Sequence, residues 1–230
     1  MALRYRPGLN PRGEDTRRRI LEIAIEVFAN EGYEGTSTRM LAERAGVNLP
    51  AIQYYFGSKE GLYRAAIGHI AQFVEQNAAP QTDRVLAALA GETPSEEALF
   101  ALLYEMLDGF IDLLTCREAP QSAGLLIARA EIENADALDV LQKAMTGFVF
   151  RPCLMLVARL LGTAEDDEDT KIRAFSILGQ ALVFKRKGSK MGACPALGWD
   201  EFDEDRLRKI RTVLREQTEA VLRSAMSKSS

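Results

Sequence analysis

Two short helical segments joined by a tight turn, between residues 36 and 57, constrain the fold of this chain more than any other feature. The first follows a threonine and serine cap and ends at Gly46. The second starts after Asn48, carries Pro50 in its first turn and stops at Gly57. This spacing predicts a helix-turn-helix, whose second helix can enter the major groove of DNA. An ordinary helical hairpin inside a bundle has the same spacing, so it stays an open alternative here.

The rest of the 230-residue chain is also predicted to be helical. A first helix begins near Asp15 and ends at Gly32, and a fourth runs from Ser58 to about Asn77, before a loop at Pro80. The stretch 81–90 is a candidate short helix. Longer helices are predicted at 95–115, 120–134, 136–162, 167–187 and 203–225. Because the sequence has no useful alternating or hairpin pattern, the predicted fold class is all-α.

The first part of the chain differs in charge from the rest. Residues 1–65 carry ten Lys and Arg against eight Asp and Glu, although the whole chain has a net charge of -4. A basic N-terminal part followed by an acidic remainder suits a nucleic-acid partner. No signal peptide and no run of 18 apolar residues is visible, so a cytoplasmic protein without a membrane partner is expected.

Three stretches near the N-terminus carry a resemblance to a known family. They are TRRRILEIA at 16–24, continuing to Phe28, GYEGTSTRMLAERAGV at 32–47, and IQYYFGSKEGLY at 52–63. Together they resemble the DNA-binding domain of TetR/AcrR transcriptional regulators in uninterrupted register over about 50 residues. The resemblance implies an N-terminal three-helix DNA-binding domain with a helix-turn-helix at 1–62, followed by a larger helical ligand-binding and dimerisation domain at 63–230.

The resemblance also implies which side chains meet double-stranded operator DNA. The reading helix would contact base edges, and the hydroxyl and ammonium groups around it would bind phosphates. The sequence departs from the family pattern at Gln53, where many members have tyrosine, and at Tyr55, where many have histidine, so the operator sequence cannot be inferred. The residues expected to contact DNA are Thr38, Arg39, Leu49, Pro50, Ala51, Gln53, Tyr54, Tyr55 and Lys59.

The C-terminal part resembles the CecR/CerR-type domain of some family members, through the segment 179–184 and the Leu-Gly-Trp at 197–199. That resemblance implies a homodimer built by the last two long helices. The first of these helices carries an apolar stripe, formed by Ile172, Phe175, Gly179 and Leu182. The last helix carries a second apolar stripe, which has heptad spacing. Packing of both stripes inside one subunit is the alternative. The second stripe consists of Leu207, Ile210, Leu214, Gln217 and Val221.

A mainly apolar pocket for a small-molecule effector is expected among the middle helices. Aromatic stripes at helical spacing also occur in ordinary cores, so a purely structural role stays open for each residue. The residues expected to line the pocket are His69, Phe73, Phe100, Tyr104, Leu107, Phe110, Arg129 and Phe148.

The sequence therefore predicts a ligand-responsive transcriptional regulator, most simply a repressor that its effector releases from a palindromic operator. It carries one histidine and none of the common nucleophile-elbow, Walker or dinucleotide-binding motifs, so no enzymatic activity and no cofactor are expected. Cys116, Cys153 and Cys194 lie far apart, which predicts neither a disulfide framework nor a metal site. The alternative is a helical small-molecule-binding or interaction protein that does not regulate DNA.

Overall fold

Helices form every regular element that the computed structural model describes, which covers residues 11–91, 94–116, 119–120, 122–184, 196–199 and 201–229. The all-α prediction is therefore confirmed. The α-helices are α1 (Pro11–Gly35), α2 (Thr38–Ala45), α3 (Leu49–Phe56), α4 (Lys59–Ala90), α5 (Glu96–Thr115), α6 (Ala123–Glu133), α7 (Asp139–Met145), α8 (Arg151–Leu161), α9 (Glu168–Ala181) and α10 (Glu204–Ser229). Short 3₁₀ helices lie at Ala135–Leu138 and Leu182–Phe184, and a π-helical turn at Thr146–Phe150.

Helix α4 is longer than the sequence predicts, because it passes through Pro80 and ends at Ala90. The predicted loop at Pro80 is wrong, and the candidate helix at 81–90 is the second half of α4. A proline inside a helix removes one backbone hydrogen bond. Tertiary contacts offset that loss: Val85 is buried, and the buried Thr82 hydroxyl donates to the Phe148 carbonyl at 2.8 Å.

The predicted helix at 136–162 is interrupted by the π-helical turn between α7 and α8. An α-helical carbonyl at Phe148 would accept from the N–H of residue 152, but residue 152 is a proline without that donor. The turn instead makes a wider hydrogen bond, from the Arg151 N–H to the Thr146 carbonyl. The hydroxyl of Thr82 satisfies the orphaned Phe148 carbonyl. The interruption thus follows from Pro152.

The stretch Ala135–Leu161 is long and apolar enough to cross a membrane by length and composition. Half of its most apolar window is buried inside the protein, and Leu156 and Val157 have no exposed surface. Core helices of globular proteins can be equally long and apolar, and we interpret this stretch as a core segment of that kind.

Two compact units make up the chain, and both draw on separate segments. The first contains the residues up to Ile70 together with Pro120–Leu141, so α6 belongs with α1–α3. The second contains Ala71–Ala119 and the residues from Gln142 onward. The structural boundary therefore lies within α4, whereas the domain boundary expected from the sequence follows residue 62.

Helix α6 is joined to α1 at a break in the backbone of α1. Gly32 has φ 76° and ψ 171°, a conformation that is essentially restricted to glycine. Arg129 donates to the Asn30 carbonyl at 2.8 Å, and the Glu133 carboxylate accepts from the Tyr33 N–H at 2.9 Å. Two side chains of α6 therefore satisfy backbone groups on both sides of the break.

Candidate nucleic-acid interface

The helix-turn-helix is fixed by local hydrogen bonds at each of its helix ends. The Ser37 hydroxyl accepts from the Met40 N–H at 3.1 Å, and the Asn48 side-chain carbonyl accepts from the Ala51 N–H at 3.0 Å. Between them Gly46 takes the left-handed conformation, with φ 63° and ψ 37°. The predicted caps and turn are confirmed, so a short local sequence determines how α3 follows α2.

The inner faces of α2 and α3 are anchored in the core of the first unit. Leu41 and Ile52 are each 1% exposed, and Phe28 of α1 is fully buried. Phe56 is half-buried, and the Arg17 guanidinium lies over its ring at 5.4 Å. Because Ile52 faces the core, the residues on the other side of α3 face outward.

The outer face of α3 presents short apolar and polar side chains with two tyrosines. Leu49 is 49% exposed and Tyr54 is 64% exposed. The two tyrosine rings, Tyr54 and Tyr55, meet edge to face with centroids 5.0 Å apart. The remaining residues expected to contact DNA on this helix are exposed Pro50 and Gln53 and half-buried Ala51. Helix α3 therefore has an accessible surface of the kind that fits a major groove.

Two of the expected contact residues lie on α2, at its first turn. Arg39 forms an exposed ion pair with Glu43, one turn further along the helix, at 3.0 Å. Thr38 is half-buried. The exposed pair is weak in water, so Arg39 can exchange Glu43 for a phosphate at little cost.

Lys59, at the start of α4, is bound inside the first unit. Its ammonium group donates to the carbonyls of Tyr33 at 2.9 Å and Thr36 at 3.0 Å. The ammonium also lies 4.2 Å from the centre of the Tyr33 ring. Of its three N–H donors, one remains for a phosphate. Sequence reasoning assigned Lys59 to DNA alone and missed its role in joining α4 to the end of α1.

The expected effector residues fall into both units. His69 is half-buried in the first unit, and burial is the main cause that lowers its pKa. Arg129 belongs to the same unit, where it binds Asn30 and Glu133. The other six belong to the second unit, where Phe100, Leu107 and Phe110 are buried. Phe73, Tyr104 and Phe148 are half-buried.

A small cavity of about 10 Å³ lies in the second unit. Phe110 and Phe148 line it, and they are the two expected effector residues that do so. Gln81, which the sequence did not single out, also lines it, and the side-chain oxygen of Gln81 is buried without a hydrogen-bond partner among the described residues. No local pattern marks Gln81, because its position depends on α4 continuing through Pro80.

Tyr104 is engaged by α10 rather than by the cavity. Its hydroxyl donates to the Glu219 carboxylate at 2.6 Å. Burial and this acceptor raise the pKa of Tyr104 to about 12, and the hydrogen bond lowers the pKa of Glu219. The contact belongs to a ladder between α5 and α10, in which residues 104, 108 and 112, four apart on α5, meet residues 219, 215 and 211, four apart on α10, and Glu96 extends the ladder to Arg223. Its ion pairs are Glu96–Arg223, Asp108–Arg215 and Asp112–Arg211.

The last two long helices leave part of their apolar surface uncovered. On α9, Ile172 and Phe175 are exposed, the latter by 62%, and Gly179 has open space beside it. On α10, Val213 and Val221 are exposed. The heptad stripe divides, because Leu207, Ile210 and Leu214 are buried within the chain, whereas Gln217 and Val221 face outward.

No group of His, Cys, Asp and Glu residues suited to a metal ion occurs in the described part of the chain. Cys153 is buried, and burial raises the pKa of its thiol to about 12. Cys116 forms no disulfide with a residue that the structure describes. Cys194 lies outside the described residues.

Two family profiles match the chain. The profile of bacterial regulatory proteins of the tetR family matches residues 20–66. The profile of the C-terminal domain of the HTH-type transcriptional dual regulator CecR matches residues 99–225, more than half of the chain. The first match contains the helix-turn-helix, and the second spans α5 to α10.

Individual relatives agree with these profiles. The HTH-type transcriptional dual regulator CecR of Shigella flexneri is 25% identical over 223 residues, which are 97% of this chain and 98% of that protein. A TetR-like transcriptional regulator from Rhodococcus sp. RHA1 has a TM-score of 0.57 at 18% identity, covering 89% of this chain and 96% of its own. AibR, solved with isovaleryl coenzyme A and operator DNA, has a TM-score of 0.57 at 19% identity, covering 88% and 97%. Likeness at these identities shows a shared fold.

Proposed function

This chain belongs to the TetR family of bacterial regulatory proteins, with a C-terminal domain of the CecR type, and we propose that it is a homodimeric repressor that a small effector releases from a palindromic operator. Members of the family are DNA-binding transcriptional regulators rather than enzymes. The observation that carries the proposal is the outer face of α3, where Leu49, Gln53 and Tyr54 are accessible while Ile52 anchors the helix. A cytoplasmic location follows from this role.

Base reading and phosphate binding are divided among the residues expected to contact DNA. Gln53 carries an amide that can pair with a base edge, and Leu49, Pro50 and Ala51 offer apolar contacts for thymine methyl groups. Tyr54 and Tyr55 present hydroxyls, and Thr38 and Arg39 present a hydroxyl and a cation, to the sugar-phosphate backbone.

Selection of bound fragments from a random DNA pool tests this proposal, with the wild type, Gln53→Ala and Tyr54→Phe compared. The wild type should recover a palindrome with half-sites about 34–36 Å apart. Gln53→Ala should change the preferred base at one position per half-site by about 5- to 150-fold, the ratio for a contact worth about 1–3 kcal/mol. Tyr54→Phe should weaken all sequences alike. Recovery of no common sequence, or binding that does not respond to salt, would favour an interaction protein without DNA regulation.

The dimer is proposed to form through the exposed faces of α9 and α10. A two-fold dimer uses the same patch on both subunits, so one accessible apolar face per subunit suffices. The patch combines Ile172, Phe175 and Leu182 with Val213 and Val221, all of them large apolar side chains exposed in the single chain. Burying these side chains between two subunits would make the free energy of association more favourable.

Effector binding is proposed to lower operator affinity through α4. This helix begins at Lys59 in the unit that carries α3 and contributes Ala78 and Gln81 to the cavity of the second unit. A coupling of about 1–3 kcal/mol would change operator affinity about 5- to 150-fold, and operator DNA would weaken effector binding by the same factor. Among the expected effector residues, Phe110 and Phe148 have the best support because they line the cavity, and Phe73, Phe100, Tyr104 and Leu107 belong to the same unit.

A further inference from the structure

We infer that the effector is a neutral, mainly apolar molecule with a hydrogen-bond donor, and that the side-chain oxygen of Gln81 accepts this hydrogen bond. The inference rests on the proposed function, because it specifies the chemistry of the effector site. It starts from one atom: the Gln81 Oε1 is buried and has no hydrogen-bond partner within the described part of the chain. A buried carbonyl without a donor is costly, so a native structure supplies a partner by water or ligand.

The lining of the cavity beside Gln81 is apolar and uncharged. Met106, Phe110, Leu113 and Val149 line it, and none of the described residues in its lining has an ionisable side chain. A charged ligand would lose its hydration there without gaining an opposite charge. A neutral donor, such as an N–H or O–H on an apolar ring, satisfies Gln81 and leaves the rest of the ligand to the apolar walls.

The cavity of about 10 Å³ has room for about one water molecule. A larger ligand must displace part of the wall. Phe148 belongs to this wall, and a side-chain hydrogen bond from Thr82, rather than a helical backbone bond, holds its carbonyl.

Gly109 fixes the position of the Gln81 amide. A Cβ at residue 109 would lie 2.8 Å from the Gln81 Nε2 and 3.1 Å from its Cδ, so the amide lies directly against the bare backbone of α5. Gly109→Ala would move the end of this flexible side chain while leaving the helix intact. Gly124→Ala is the matched control, because Gly124 is also helical and nothing lies within 4 Å of its added Cβ.

The test measures binding of two probes of equal size, indole and benzofuran, to the full-length protein by calorimetry. Indole has an N–H donor where benzofuran has an oxygen. The wild type should bind indole about tenfold more tightly than benzofuran, because benzofuran leaves the Gln81 oxygen unpaired. The ratio should fall to about one in Gln81→Leu and in Gly109→Ala, and stay near tenfold in Gly124→Ala. Thermal melting of each variant establishes that it is folded.

The inference would be overturned if the ratio of indole affinity to benzofuran affinity were the same in the wild type and in Gln81→Leu. It would also be overturned if the wild type bound neither probe at millimolar concentration. Operator binding is measured separately, by fluorescence anisotropy of a selected DNA fragment. A Gln81-dependent preference for indole in a protein that binds no DNA would sustain the recognition by Gln81 and refute the repressor. Specific DNA binding without that preference would sustain the repressor and refute the recognition by Gln81.

Discussion

Lys59 shows how one residue can serve both the fold and DNA binding. Two of its N–H groups bind the carbonyls of Tyr33 and Thr36, which lie at the end of α1 and just before α2. Hydrogen bonds from a charged donor to partly buried acceptors are stronger than neutral ones. Lys59 thereby holds the start of α4 against the segment that leads into the helix-turn-helix.

We expect Lys59→Ala to lower the free energy of unfolding by about 1.5–3 kcal/mol, because the substitution removes the charged donor from both carbonyls. It should also reduce the salt slope of DNA binding by about one for each phosphate that the ammonium group neutralises. Urea unfolding and salt titration measure the two effects. Arg39→Ala is the control, because its exposed ion pair contributes at most about 1 kcal/mol. Equal stability of the two variants would contradict the internal role of Lys59.

His69 gives the protein a pH dependence near neutrality. It is the only histidine of the chain, and burial lowers its pKa, with Arg17 and Arg18 acting in the same direction and Glu22 against it. The unfolded chain therefore takes up a proton at a higher pH than the folded protein, and stability falls as the pH drops below about 6.5. In His69→Gln this decrease should be absent. Thermal melts between pH 8 and pH 5.5 compare the two, and parallel profiles would contradict the assignment.

Among the elements, the contact of α6 with the break in α1 depends on one glycine. Gly32 has a positive φ with extended ψ, and an added Cβ would meet Arg129 Nη1 at 2.8 Å and Glu133 Oε1 at 2.9 Å. The side chains of α6 can shift, but the backbone conformation cannot be relieved without moving α1. The break therefore gives Arg129 and Glu133 access to backbone groups of α1.

We expect Gly32→Ala to lower the free energy of unfolding by about 1–3 kcal/mol, the cost of forcing a non-glycine residue into this region. Chemical unfolding followed by circular dichroism measures it. Gly68→Ala is the control, since Gly68 lies inside α4 with open space around it and should be neutral or stabilising. If both substitutions had the same effect, the backbone at Gly32 would not be under the constraint described.

Elements that depend on nearby residues were predictable, and elements that depend on distant ones were not. Ser37, Gly46 and Asn48 specify the helix-turn-helix through contacts within three or four residues, so the pattern was readable. The continuation of α4 through Pro80 depends on contacts with distant residues, such as the hydrogen bond from Thr82 to Phe148, 66 residues away. The π-helical turn follows from the neighbouring Pro152, but the partner of the carbonyl that it leaves free is again the distant Thr82. For the same reason the local sequence does not mark Gln81, and Arg129 was expected in the pocket although it binds α1.

At the scale of the whole molecule, the exposed apolar face of α9 and α10 predicts self-association. Light scattering at micromolar concentration should give twice the chain mass of 25.5 kDa. Phe175→Glu places a charge in this face and should shift the protein towards the monomer, weakening operator binding at the same time. Ile132→Glu is the control, because Ile132 is 88% exposed and lies on α6, outside the face. A dimer that survives Phe175→Glu would place the interface elsewhere.

The two-segment composition of the first unit has a consequence for synthesis on the ribosome. The residues up to Ile70 are made first, but their partner segment, Pro120–Leu141, emerges only after the first part of the second unit. During that interval the carbonyl of Asn30 lacks Arg129, and the N–H of Tyr33 lacks Glu133. The first unit is thus incomplete for about 60 further residues, or several seconds at bacterial elongation rates. A protein shortened before α6 would lack this support permanently, so the helix-turn-helix alone is a poor substitute for the full chain.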